Sequence, residues 1–165
     1  LIVAGSVPEP LAILFFLEPS ISFGFSLSFF VIDKIIASFF EIIKNKRRIA
    51  KITIDGFERE GDFAFIIACN TKYVGKNMKM APNAIIDDGL IDLIIVKKAS
   101  SLTLFSVFPK LFDGSHVDHD ACEYVQCKSF SIDPDDKGKL NIDGEIIGTS
   151  PVSVTLIKGG VELII

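Results

Sequence analysis

Tryptophan is absent from this chain of 165 residues, while phenylalanine occurs 15 times. Single aromatic residues serve packing far more often than recognition, so most of those rings are expected in a core. Cysteine is scarce and odd in number (Cys69, Cys122, Cys127), which excludes a disulfide scaffold and suggests a reducing, intracellular setting. Cys122 and Cys127, with His116 and His119 nearby, lack the paired spacing of zinc sites. No basic stripe is present, and the net charge of −4 argues against a nucleic-acid partner. The one basic cluster, Lys44, Lys46, Arg47 and Arg48, suits a helix C-terminus or anionic lipid head groups. No uninterrupted apolar run reaches the length of a membrane span, about 18–20 residues. Residues 1–43 are very apolar, but Pro8, Glu9, Pro10, Glu18 and Pro19 interrupt them. Neither a Gly-rich phosphate loop nor a Ser-His-Asp or Cys-His signature occurs.

What is present suffices for a core. Apolar residues make up 49% and charged residues 23%, in a chain of one-domain size. The chain opens at Leu1 rather than Met, which is read as a fragment or an incomplete gene model. Residues 1–22 match no element. Apolar residues at 32, 35, 36, 39, 40 and 43 predict a helix over Leu27–Lys44. From there short strands dominate. Ile49–Asp55 alternates and ends in an Asp55-Gly56 turn signal. Phe63–Cys69 is a continuous apolar run, suited to a strand buried on both faces, and Leu90–Lys97 is another strand. Ser100–Phe112 has helical spacing, with Ser100 or Ser101 as cap and Pro109 ending it early. Further strands are predicted over 122–132, 139–143, 152–157 and 160–165. The fold class is therefore mainly β (α+β): an antiparallel β-sandwich with one or two flanking helices.

Three local features exceed what a plain sandwich needs. Asp87-Asp88-Gly89, at the mouth of the run from Leu90, is either a solvated turn or a place for a hard cation. Asn141-Ile142-Asp143-Gly144-Glu145 is either a hairpin turn or a pair of carboxylates facing one side of an extended strand. Such a pair can hold magnesium on a nucleotide or take a proton from a hydroxyl. The third is Asp113-Gly114-Ser115-His116, where a lone histidine usually satisfies a hydrogen bond, and no chemistry is assigned to it.

Taken in order, these features resemble the C-terminal domain of the diacylglycerol kinase / sphingosine kinase (YegS-like lipid kinase) family. The similarity rests on MAPNAIIDDGLIDLIIVKK, then a helix, then DGSH, a strand and IDGE, and it covers residues 60–165. The sandwich domain is read as 23–165. The resemblance implies a lipid substrate, ATP and Mg2+, with lipid and nucleotide meeting in a cleft against a second, nucleotide-binding domain. Glu145 would take the proton of the lipid hydroxyl, and Asp143 would lie by the nucleotide phosphates or their magnesium. A structural magnesium would use the Asp88 carboxylate and the backbone carbonyls of Ile85 and Leu90. A cytoplasmic protein peripheral to membranes would follow. Two departures stand out: Gly75-Lys76-Asn77-Met78 replaces the family's triple glycine, and the Gly-Gly-Asp-Gly-Thr nucleotide motif is absent. This stretch by itself should therefore turn over little. The alternatives are a non-catalytic lipid-binding module and an inactive kinase fragment.

Overall fold

The computed structural model describes residues 12–14, 49–74, 78–136, 138–142 and 145–159. The expected helix over Leu27–Lys44, the basic cluster and the expected strand 160–165 lie outside the described residues. Among those described, nine strands occur: β1 (Ala12–Leu14), β2 (Ile49–Ile54), β3 (Phe57–Cys69), β4 (Ile91–Lys97), β5 (Cys122–Cys127), β6 (Ser129–Pro134), β7 (Lys139–Ile142), β8 (Glu145–Thr149) and β9 (Val152–Thr155). Every pairing is antiparallel. One sheet has the order β8-β7-β1-β3-β4-β5, and the other runs β3-β2-β6-β9. The antiparallel sandwich class expected from the sequence is the one found.

β3 belongs to both sheets because it is long and bent. Phe57–Asp62 pairs with β2, and Phe63–Cys69 pairs with β4. The change falls at a register shift between Phe63 and Phe65, where one extra residue bends the strand. The β2–β3 hairpin forms as its Asp-Gly pair predicts, with positive φ at both Asp55 (46°) and Gly56 (86°). Asp55 does more than turn the chain. Its Oδ1 accepts from the backbone N–H groups of Lys128 and Ser129, each at 2.9 Å, and holds this turn against the corner between β5 and β6.

Two cores result. Ile52, Phe63, Leu93, Ile95, Phe130, Ile132 and Val154 pack between the sheets. Ile67, Ile94, Val96, Leu104, Val107 and Leu111 pack between the outer face of the larger sheet and a helical layer. That layer is α1 (Ser101–Val107) and two 3-10 turns, Phe108–Leu111 and Ser115–Asp118. Ser100 caps α1 by accepting from the Thr103 N–H at 3.1 Å. Pro109 sits at the start of the first 3-10 turn, where its missing N–H costs nothing, and the α-helix has ended before it. β4 supplies side chains to both cores, so its apolar run is continuous rather than alternating.

The structure departs from the sequence reading in four places. Residues 122–132 are two strands in different sheets, broken at Lys128, because β5 pairs with β4 while β6 pairs with β2. The run 63–69 begins earlier, at Phe57, because its polar first half lies on the smaller sheet and alternation there is weak. β8 had no counterpart in the reading. Ala12–Leu14, within the stretch that matched nothing, is a strand between β3 and β7.

Leu93 is fully buried in the sandwich core. Leu93→Ala should cost about 2–5 kcal/mol in urea unfolding, the usual price of a cavity at a site walled on every side. Leu102→Ala, at an exposed position of α1, should stay within about 0.5 kcal/mol of the parent.

Candidate functional site

The strand register brings two of the three motifs to one end of the larger sheet. β4 starts at Ile91 beside the end of β3, with Cys69 opposite Asp92. β7 ends at Ile142, which pairs with Ile13, and Ile13 in turn pairs with Ala68. The acidic turn before β4 and the β7–β8 hairpin therefore open at the same end.

They do not touch within the sheet. A transverse row runs Glu145, Ile142, Ile13, Ala68, Leu93. Those four steps span roughly 19 Å at about 4.8 Å per strand. Glu145 is the first residue of the edge strand β8 and pairs with Ile142. β7 and β8 thus pair antiparallel up to Ile142 and Glu145, and Asp143 and Gly144 lie outside the described residues. The expected same-face relation of Asp143 and Glu145 falls on residues outside those described.

Ile85, Asp88 and Leu90 do come together, in one tight turn. The Asp88 N–H points to the Ile85 carbonyl at 3.4 Å, and Asp88 Oδ1 accepts from the Leu90 N–H at 2.8 Å. Gly89 takes φ +83°, and a Cβ there would meet Lys158 Cδ at 2.9 Å. Both facts favour glycine at that position. The Lys158 ammonium donates to the Asp88 carbonyl at 3.3 Å. The donor set is one carboxylate and backbone carbonyls, all hard oxygens, which suits magnesium or calcium. Among the described residues no group of three or more His, Cys, Asp or Glu side chains converges on a metal position. A cation in this turn would lean on carbonyls and water.

Among the described residues two ionisable side chains, Asp92 and His116, are fully buried. Asp92 is fully buried within β4. Its Oδ1 accepts from the Tyr124 hydroxyl and, at 2.9 Å, from Gln126 Nε2. Among the described residues its Oδ2 meets no hydrogen-bond donor. Burial pushes its pKa above the ordinary carboxylate value, against the pull of those two hydrogen bonds. The signal in the sequence was one acid inside the apolar run LIDLIIV. His116 is fully buried as well, and its Nε2 lies 2.9 Å from the Met80 carbonyl oxygen, the satisfied hydrogen bond expected of a lone loop histidine.

Comparisons with known proteins agree with this fold. The family described as the YegS C-terminal NAD kinase beta sandwich-like domain matches residues 34–165. The chain belongs to that family. Within this lipid kinase family, sphingosine kinase 1 of Arabidopsis thaliana is 33% identical over 101 residues, covering 57% of this chain and 21% of that protein. A probable YegS-like lipid kinase of Shewanella frigidimarina is 31% identical over 69% of this chain and 37% of its own length. A diacylglycerol kinase of Staphylococcus carnosus is 30% identical, covering 68% and 37%. The chain spans no more than 37% of any of these three relatives. A putative diacylglycerol kinase structure from Bacillus anthracis superposes with a TM-score of 0.61 at 25% identity, over 74% of this chain and 40% of that one. No helix among the described residues is long and apolar enough to cross a membrane.

The thiols of this YegS-type domain are held away from chemistry. Burial pushes Cys69 up to about 12, Cys122 to about 11 and Cys127 to about 12. A thiolate is the reactive form, so all three should react slowly with Ellman's reagent in the native chain. Stoichiometric reaction is expected only once urea unfolds it, and three fast-reacting native thiols would contradict their burial.

Proposed function

We propose that this chain supplies the lipid-side half of an ATP-dependent lipid kinase that phosphorylates a hydroxyl of a sphingoid base or diacylglycerol. The observation that carries this reading is the shared sheet end, where the acidic turn at Asp88 and the hairpin strand carrying Glu145 both open. Kinase relatives named for sphingosine and diacylglycerol support the substrate class. The nucleotide loop would come from a second domain, since this chain carries no Gly-rich phosphate motif.

In this reading Glu145 accepts the hydroxyl proton. The hydroxyl oxygen bonds to the γ-phosphorus while the bond to the departing ADP oxygen breaks. Asp143, two residues before it in sequence, lies toward the nucleotide phosphates and their magnesium. Positioning and charge neutralisation carry most of the rate in phosphoryl transfer. The turn Ile85–Leu90, some four strands away, holds a structural magnesium that keeps the mouth of β4 in shape. The protein works at a membrane surface from the cytoplasm, where its substrate resides.

Glu145→Gln in the full-length protein should lower turnover by about 10²-fold or more, the scale of a general base. The assay offers sphingosine, ceramide and diacylglycerol side by side, and an unchanged rate removes Glu145 from the mechanism. Asp88→Ala should abolish the rise in melting temperature on adding magnesium, with a smaller effect on turnover. A variant that melts like the parent, with and without magnesium, ends the structural-cation reading.

A further inference from the structure

His116 sits where a histidine has unusual constraints. It is fully buried, and both ring nitrogens face backbone carbonyls. Nε2 lies 2.9 Å from the Met80 carbonyl oxygen, and Nδ1 lies 3.3 Å from that of Lys110. Carbonyls only accept, and a neutral imidazole carries one N–H. The shorter contact takes the proton, leaving the Nδ1 lone pair facing Lys110 across the longer gap. Burial pushes His116 below its ordinary pKa, although Asp113, Asp118 and the two carbonyls pull it the other way. The neutral ring suits this balance.

The turn before His116 grips the same stretch of chain. Gly114 takes φ +88°, and a Cβ there would come within 3.1 Å of Pro82 Cβ and 3.2 Å of Lys79 Cδ. The Asp113-Gly114 turn therefore lies flush on residues 79–82. From Met80 the path onward is short. Met80, Ala81 and Ala84 are buried, the Ala84 N–H donates to the Ala81 carbonyl at 3.0 Å, and the next residue, Ile85, opens the acidic turn.

We propose that His116, as the neutral Nε2–H tautomer, is a positioning residue for the acidic turn Ile85–Leu90. Its hydrogen bond to the Met80 carbonyl ties the stem of that turn to the helical layer and sets the path on which the chain enters it. The link to cation binding rests on the reading of that turn given above; the tie itself does not.

The test uses the full chain with 15N-labelled histidine and two variants. The ring nitrogen shifts of the parent should report Nε2–H near neutral pH, and an Nδ1–H ring overturns the proposal. His116→Phe keeps a ring without a donor, and His116→Gln keeps a donor near the Nε2 position. In the Phe variant the amides of Ala81, Ala84, Asp88 and Leu90 should exchange with solvent about tenfold faster, the fold-change of one buried hydrogen bond. Amides of the β2–β3 hairpin should keep their rates, and the Gln variant should return the four amides toward the parent. Equal acceleration everywhere marks a merely structural residue, and no acceleration at the four amides also overturns the proposal. Should the Phe variant fail to fold, the parent tautomer and the Gln variant still decide. A magnesium titration followed at Asp88 and Gly89 should show about tenfold weaker binding in the Phe variant, in proportion to the lost tie. A parent chain that ignores magnesium ends the cation reading alone, since tautomer and exchange rates judge His116 without it.

Discussion

Burial of both faces of β4 is the constraint from which the arrangement follows. Leu93 and Ile95 point into the space between the sheets, while Ile94 and Val96 point under the helical layer. A strand with no wet face can hold few polar groups, and each one must find partners. Asp92 is the exception, and Tyr124 and Gln126 on the neighbouring strand meet it. The helical layer exists because the outer face of β4 must be covered. It is short, seven residues of α-helix and two 3-10 turns, yet it supplies Leu104, Val107 and Leu111 to that cover.

The same constraint places the functional loops. Loops that leave a doubly covered strand must emerge at its ends, and the chain before β4 emerges as the turn Ile85–Leu90. β3 and β1 carry the register across to β7, so the hairpin bearing Glu145 opens at that same end. About four strand spacings separate the two acidic motifs. One is a compact turn with hard oxygens beside the buried core. The other begins β8, the edge strand of the larger sheet among the described residues.

The fold class was legible because its signals are local. The continuous run FAFIIAC announced a strand buried on both faces, LIDLIIVK announced another strand, and Asp55-Gly56 announced its hairpin. Ser100 and Pro109 marked the ends of α1. The acidic turn could be read from Asp88-Gly89, because a positive φ at glycine is a one-residue property. Less was readable where pairing is decided far away in sequence. The division of 122–132 at Lys128 depends on which strand each half meets, β4 or β2. The strand at Ala12–Leu14 exists only because β3 and β7 leave a gap of one strand between them.

The sequence by itself determined that this is a β-rich domain of the lipid kinase family, and which residues could carry its chemistry. Hydrophobic runs, turn pairs and an ordered set of motifs are written in neighbouring residues. Tertiary structure alone decided that Glu145 and Asp88 share a sheet end yet stand apart, and that His116 is buried against Met80. Those facts follow from strand register and from contacts 36 residues apart or more, which no local pattern encodes.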